Sequence, residues 1–120
     1  MSSLKELQRY LNKDIENYGG ITSPEYRSFE RKFKNYIEKV MIDNGGELVK
    51  FNPNHYEFSC FVKRNNKYLY ISISDVRYFK NSWYNNILIR TANNEKDYSG
   101  GRNDYTSLQC LDKKIVLMTN

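Results

Sequence analysis

Few residues in this chain are equipped for chemistry. His55 is the only histidine, and in the triplet His55-Tyr56-Glu57 an imidazole and a carboxylate share one face of an alternating segment. Zinc deaminases use such a His-x-Glu pair, with the glutamate moving protons, but they complete the metal with a Pro-Cys-x-x-Cys that is absent here. The pair therefore reads as a strand-edge histidine beside a solvated glutamate. A Cys/His nucleophile would have to join His55 to Cys60 or Cys110. Odd spacing puts Cys60 on the opposite strand face from His55, and Cys110 falls in a predicted helix, so neither thiol is placed for activation. With no Cys-x-x-Cys, the two cysteines are expected to be buried free thiols.

Metal-dependent hydrolysis needs converging carboxylates. Glu47, Glu57 and Asp75 lie near predicted strand ends, but no spacing brings two of them onto one face beside a lysine. The glycine pairs 19–20, 45–46 and 100–101 are isolated and suit helix ends and a turn, not a phosphate-cradling loop. The expectation is a chain with no catalytic set, metal or cofactor.

Charge and aromatic content point instead to binding. Residues 1–45 hold eight Lys/Arg against seven Asp/Glu, whereas residues 50–102 hold nine against four, so the formal +5 belongs to the second half. Lys63, Arg64 and Lys67 cluster at a predicted hairpin tip, with Tyr68 and Tyr70 beside them. Arg77, Lys80, Arg90, Lys96 and Arg102 lie in or next to an aromatic segment, residues 75–85, and a polar segment, residues 92–104. Cations interleaved with tyrosine rings suit phosphate and stacked bases, and they also suit an acidic or nucleoprotein partner. Eleven of the 18 aromatic residues are tyrosine, whose hydroxyl keeps many rings at a core edge or on the surface.

The elements that must position these residues fit one domain spanning residues 1–120. A capping box, Ser3 with Glu6, and apolar residues at Leu4, Leu7, Leu11 and Ile15 predict a helix over Ser3–Tyr18, stopped by Gly19-Gly20. Ser23-Pro24-Glu25 starts a second, with Tyr26, Phe29, Phe33, Ile37 and Val40 inward and Arg27, Arg31 and Lys34 on another face, where Glu30 and Lys34 form an ordinary i,i+4 pair. After Gly46 the period becomes alternating. Strands are predicted over Glu47–Asn52, His55–Lys63, Tyr68–Ser74 and Asn86–Thr91, the second presenting Cys60 and Val62 inward and the third Leu69 and Ile71. The turn Arg64-Asn65-Asn66-Lys67 joins the middle pair. Ala92 to Asp104 reads as a long polar loop, and a closing helix is predicted from about Thr106. The fold class is α+β: two N-terminal helices, a four-stranded antiparallel sheet and a C-terminal helix in a two-layer sandwich. Within the aromatic segment Phe79 and Trp83, four apart, also fit a short helical turn that plugs the core. No apolar stretch is long enough to span a bilayer, and the N-terminal stretch is mixed in charge, unlike a secretory signal, so a cytoplasmic protein is expected.

SPEYRSF at 23–29, ELVKFNPNHYEFSCFVKRNNKYLYISISDVRYF at 47–79 and WYNNILIRTANNEKDYSGGRNDYTSL at 83–108 resemble small proteins carried by conjugative elements and phages of Firmicutes. WYNNILIRTA and EKDYSGG are the most specific parts of the likeness. It carries no catalytic assignment. By size and genetic setting it implies an anti-defence protein, anti-CRISPR-like, that inhibits a host nuclease or ribonucleoprotein by occupying its nucleic-acid-binding surface. The residues expected to meet such a partner are Arg77, Lys80, Trp83, Lys96, Tyr98 and Arg102. The alternative is a basic nucleic-acid-binding module using Lys63, Arg64, Lys67, Tyr68 and Tyr70.

Overall fold

A proline at its first position and a glycine just past its end bracket the longer helix. In the computed structural model, which describes Leu7 and residues 24–52, 59–72, 87–97 and 99–120, helix α1 spans Pro24–Asp43. Pro24 costs nothing where no intrahelical donor is needed. At the other end Gly45 adopts φ +78°, Gly46 N–H donates to the Met41 carbonyl at 2.7 Å and Gly45 N–H to Ile42 at 3.3 Å, a Schellman closure. The buried face is Phe33, Tyr36, Ile37, Val40 and Met41, recurring at helical spacing, while Arg27, Arg31 and Lys34 are exposed as expected. Glu30 differs from expectation: it is buried, and Lys34 instead approaches Glu38 at 4.0 Å. Burial pushes the Glu30 carboxyl up, partly opposed by Arg27. Of the first predicted helix only Leu7 is described; it is helical and fully buried, and the rest of Ser3–Tyr18 lies outside the described residues.

The sheet is a five-stranded antiparallel meander in the order β1 (Glu47–Asn52), β2 (Ser59–Arg64), β3 (Lys67–Ser72), β4 (Ile87–Ala92) and β5 (Asn103–Thr106). Asn65 and Asn66 sit at φ 54° and 63°, the two left-handed positions that a two-residue type I′ hairpin requires and that asparagine tolerates. Helix α2 (Leu111–Met118) closes the chain. Cys60, Val62, Leu69, Ile71, Ile87 and Ile89 share one sheet face and pack with α1, Leu108, Leu111 and Ile115 into a single core. Each such side chain contributes on the order of 1.5–3 kcal/mol on burial.

Three expectations are corrected. The sheet has five strands, not four, because residues 103–106 pair with β4 from Arg90↔Asn103 to Ile87↔Thr106. Asn103, Asp104 and Tyr105 are exposed, so this edge strand is held by its backbone ladder and by the Asp104–Lys114 ion pair at 2.5 Å, and it carries no apolar alternation. The closing helix starts at Leu111, not Thr106, behind a turn in which the Ser107 carbonyl and hydroxyl oxygens each accept from Cys110 N–H at 3.2 Å. Cys110 is consequently exposed at the helix start; Cys60 is buried as expected, and both thiols are free.

Candidate binding surface

In an antiparallel meander alternate connections fall at the same end. The α1–β1 junction at residues 44–46, the Asn65-Asn66 turn and the 93–102 loop therefore share one end of the sheet. Thr119 and Asn120, just past α2, meet that turn through hydrogen bonds. The fold thus brings Lys63, Arg64, Lys67 and Tyr68 to the same end as Lys96 and Arg102, two groups that lie about thirty residues apart in the chain.

The cations at the hairpin tip differ in what they hold. Arg64 donates from Nε to the Asn44 carbonyl at 2.7 Å and from one terminal nitrogen to Thr119 Oγ1 and Asn120 Oδ1, both at 3.1 Å. Asn65 Nδ2 donates to the Thr119 carbonyl at 2.9 Å, and Lys67 Nζ donates to the Asn120 carbonyl. Neither helix carries a basic residue in its last turn, so the hairpin tip brings cations and donors to both negative helix ends. Arg64 and Lys67 are thus bound into the scaffold. Lys63 instead lies over the Tyr68 ring, 5.3 Å from its centroid. A shallow depression of about 360 Å³, lined by Gly45, Gly46, Glu47, Lys63, Arg64, Asn65 and Asn66, opens beside this tip.

Tyr70 does not belong to the surface. It is 2% exposed, packed against Phe61 with centroids 5.2 Å apart, and Phe61, Ser59 and Ser72 on the same sheet face are buried too. The expected stacking platform of Tyr68 and Tyr70 therefore reduces to Tyr68, because the centre of this second face is buried as fully as the first.

Among the described residues of the 93–102 segment, hydrogen bonds organised by Asp97 tie 93–97 to Ser99. The Asp97 carboxylate accepts from the Ser99 N–H at 2.9 Å, from the Ser99 hydroxyl and from Asn93 Nδ2 at 3.2 Å. Asn93 N–H donates to the Asp97 carbonyl at 2.8 Å, and Lys96 N–H to Asn94 Oδ1 at 2.8 Å. The Ser99 bonds, with Asn93 behind them, hold the Asp97 carboxyl below its ordinary value. Asp97 was not among the candidates from sequence, yet the Asp-x-Ser spacing of an Asx-type turn is its signal. Lys96 and Arg102 are exposed, and among the described residues no ion pair engages Lys96, Arg102 or Lys63.

No family model, curated protein or solved structure matches the chain. The surface is therefore read from its own geometry. Arg77, Lys80, Trp83 and Tyr98 lie outside the described residues, as do His55 and Glu57. Among the described residues no three of His, Cys, Asp or Glu are grouped to hold a metal ion, and no helix is long and apolar enough to cross a membrane.

Proposed function

We propose that this chain is a non-catalytic binding protein of a mobile element or phage that inhibits a host defence nuclease by occupying its nucleic-acid-binding surface. The observation that carries the reading is the Asp97-centred loop: its bonds fix the backbone around Lys96 in advance, and the bond from Arg90 to the Gly101 carbonyl holds the residue before Arg102, so contact with a partner costs little ordering entropy. Such a loop on a rigid sheet is suited to insertion into a cleft. A chain of net +5 is drawn to phosphate, so the form of the nuclease best matched to it is the guide-loaded nucleoprotein whose target-strand surface is still open. The test is co-purification and cleavage inhibition against a panel of loaded CRISPR effectors. Inhibition by the wild-type chain that weakens in Lys96→Glu and Arg102→Glu supports the reading; no complex and undiminished cleavage across the panel removes it.

A second reading, direct binding of nucleic acid, is favoured by one fact: Lys63 and Tyr68 share the same end of the sheet with Lys96 and Arg102.

A further inference from the structure

The row of side chains that ends the second sheet face sets a large ring beside a small residue. Register places Glu47, Lys63, Tyr68 and Ala92 side by side across β1 to β4. The β4–β5 pairing stops at Arg90↔Asn103, and beyond it Gly101 packs against β4 at Arg90 and Thr91. The Gly101 carbonyl accepts from an Arg90 terminal nitrogen at 2.7 Å, and a Cβ at Gly101 would stand 2.0 Å from the Thr91 carbonyl oxygen, so the backbone there is packed close to β4.

Lys63, on the β2 side, lies over one face of the Tyr68 ring. On the β4 side the next residue in the row is the only alanine in the chain. Tyr68 and Ala92 are both partly exposed. The ring thus has a cation over one face, a methyl as its neighbour on β4, and the exposed Lys96 and Arg102 on the loop that follows β4.

We propose that this niche, with Tyr68 as its wall and Ala92 as its floor, stacks one unpaired base of a single-stranded nucleic acid while Lys96 and Arg102 take neighbouring phosphates. The inference rests on the second reading above and gives it a ligand class. An aromatic face beside a small residue accepts the π-face of any base, and the flanking cations follow the backbone, which is the chemistry of sequence-tolerant single-strand binding. A duplex offers no free base face, and a ring standing in a sheet row cannot reach into a stacked helix.

The experiment is fluorescence anisotropy with a labelled oligothymidine of about 15 nucleotides and its duplex, at salt from about 50 to 200 mM. Wild type is expected to prefer the single strand, with affinity falling as salt rises. Tyr68→Phe keeps the stack and should bind within about twofold, whereas Tyr68→Leu and Ala92→Leu, which remove the wall and fill the niche, should each lose about tenfold. Lys96→Gln with Arg102→Gln, both exposed and outside the core, should reduce the salt slope by about 1.4. If wild type binds but Tyr68→Leu and Ala92→Leu bind equally well, the niche is wrong and direct binding stands on the cations alone. An unchanged salt slope in the Lys96/Arg102 pair removes their assigned role. If wild type retains no strand at the lowest salt, both fall, and the nuclease reading is left to its own assay.

Discussion

Arg64 donates its Nε proton to the carbonyl oxygen of Asn44 at 2.7 Å, joining the tip of the β2–β3 hairpin to the end of α1. The same guanidinium bonds Thr119 and Asn120 past α2, so one side chain fastens three elements. Arg64→Ala should therefore cost about 1–2 kcal/mol, read as a fall in Tm of about 5 °C. Arg64→Lys keeps the charge but not the fork, and is expected to recover less than half of that loss. Full recovery by lysine in thermal unfolding would show that the charge, not the geometry, matters here.

The loop should respond to acid in a defined window. Asp97 and Asp104 both have carboxyls held below the ordinary value of 3.8, Asp97 by Ser99 and Asp104 by Lys114 and the Tyr105 N–H. A lowered folded pKa means that the contribution is complete above the unfolded value and disappears as pH falls through the folded one. Loop order should accordingly be unchanged from pH 7 to about 5 and be lost only below the ordinary carboxylate value. Protection of the Ser99 and Tyr105 amides, followed by NMR against pH, checks this; loss already at pH 5 would contradict it. Asp97→Ala should abolish Ser99 protection at every pH while leaving the core amides of β2 and β3 unaffected.

Much of this scaffold could be read in the residues, and the exceptions share a cause. Pro24, the 3–4 spacing of Phe33, Ile37 and Val40, the alternation through Cys60 and Val62 and the paired asparagines at 65–66 are local signals, and each element they predict is present. β5 carries no such signal, because a short edge strand exposed at three of four positions needs only backbone partners. Tyr70 and Glu30 misled in the same way: a polar atom suggests exposure, while tertiary packing buries both. The shared end of the surface follows from strand order, which pairwise spacing does not encode.

The two thiols should behave oppositely. Cys60 is buried in the core and its thiol is pushed up to about 12 by that burial, whereas Cys110 is exposed at the start of α2. Titration of the native protein with a chromogenic disulfide at pH 8 should count one reactive thiol, rising to two in denaturant. Two fast thiols in the native state would mean that the β2 core opens far more readily than its packing implies.

Gly101 offers the sharpest test of how the loop is seated on β4. A methyl group there would meet the Thr91 carbonyl oxygen at 2.0 Å and Arg90 Nε at 3.1 Å, and the near contact is backbone, which cannot rotate away. Gly101→Ala must therefore push the loop off β4, lengthening or breaking the bond from Arg90 to the residue 101 carbonyl. Gly100 provides the contrast: it sits at φ +75° with open space around its Cβ, so alanine there strains only the backbone conformation, at about 1 kcal/mol. The expected result is a larger Tm loss for Gly101→Ala than for Gly100→Ala, with amide shifts in the first reaching Arg90 and Thr91. Equal losses would show that the loop yields to the added methyl, and that the close approach of Gly101 to β4 is not what fixes the loop in place.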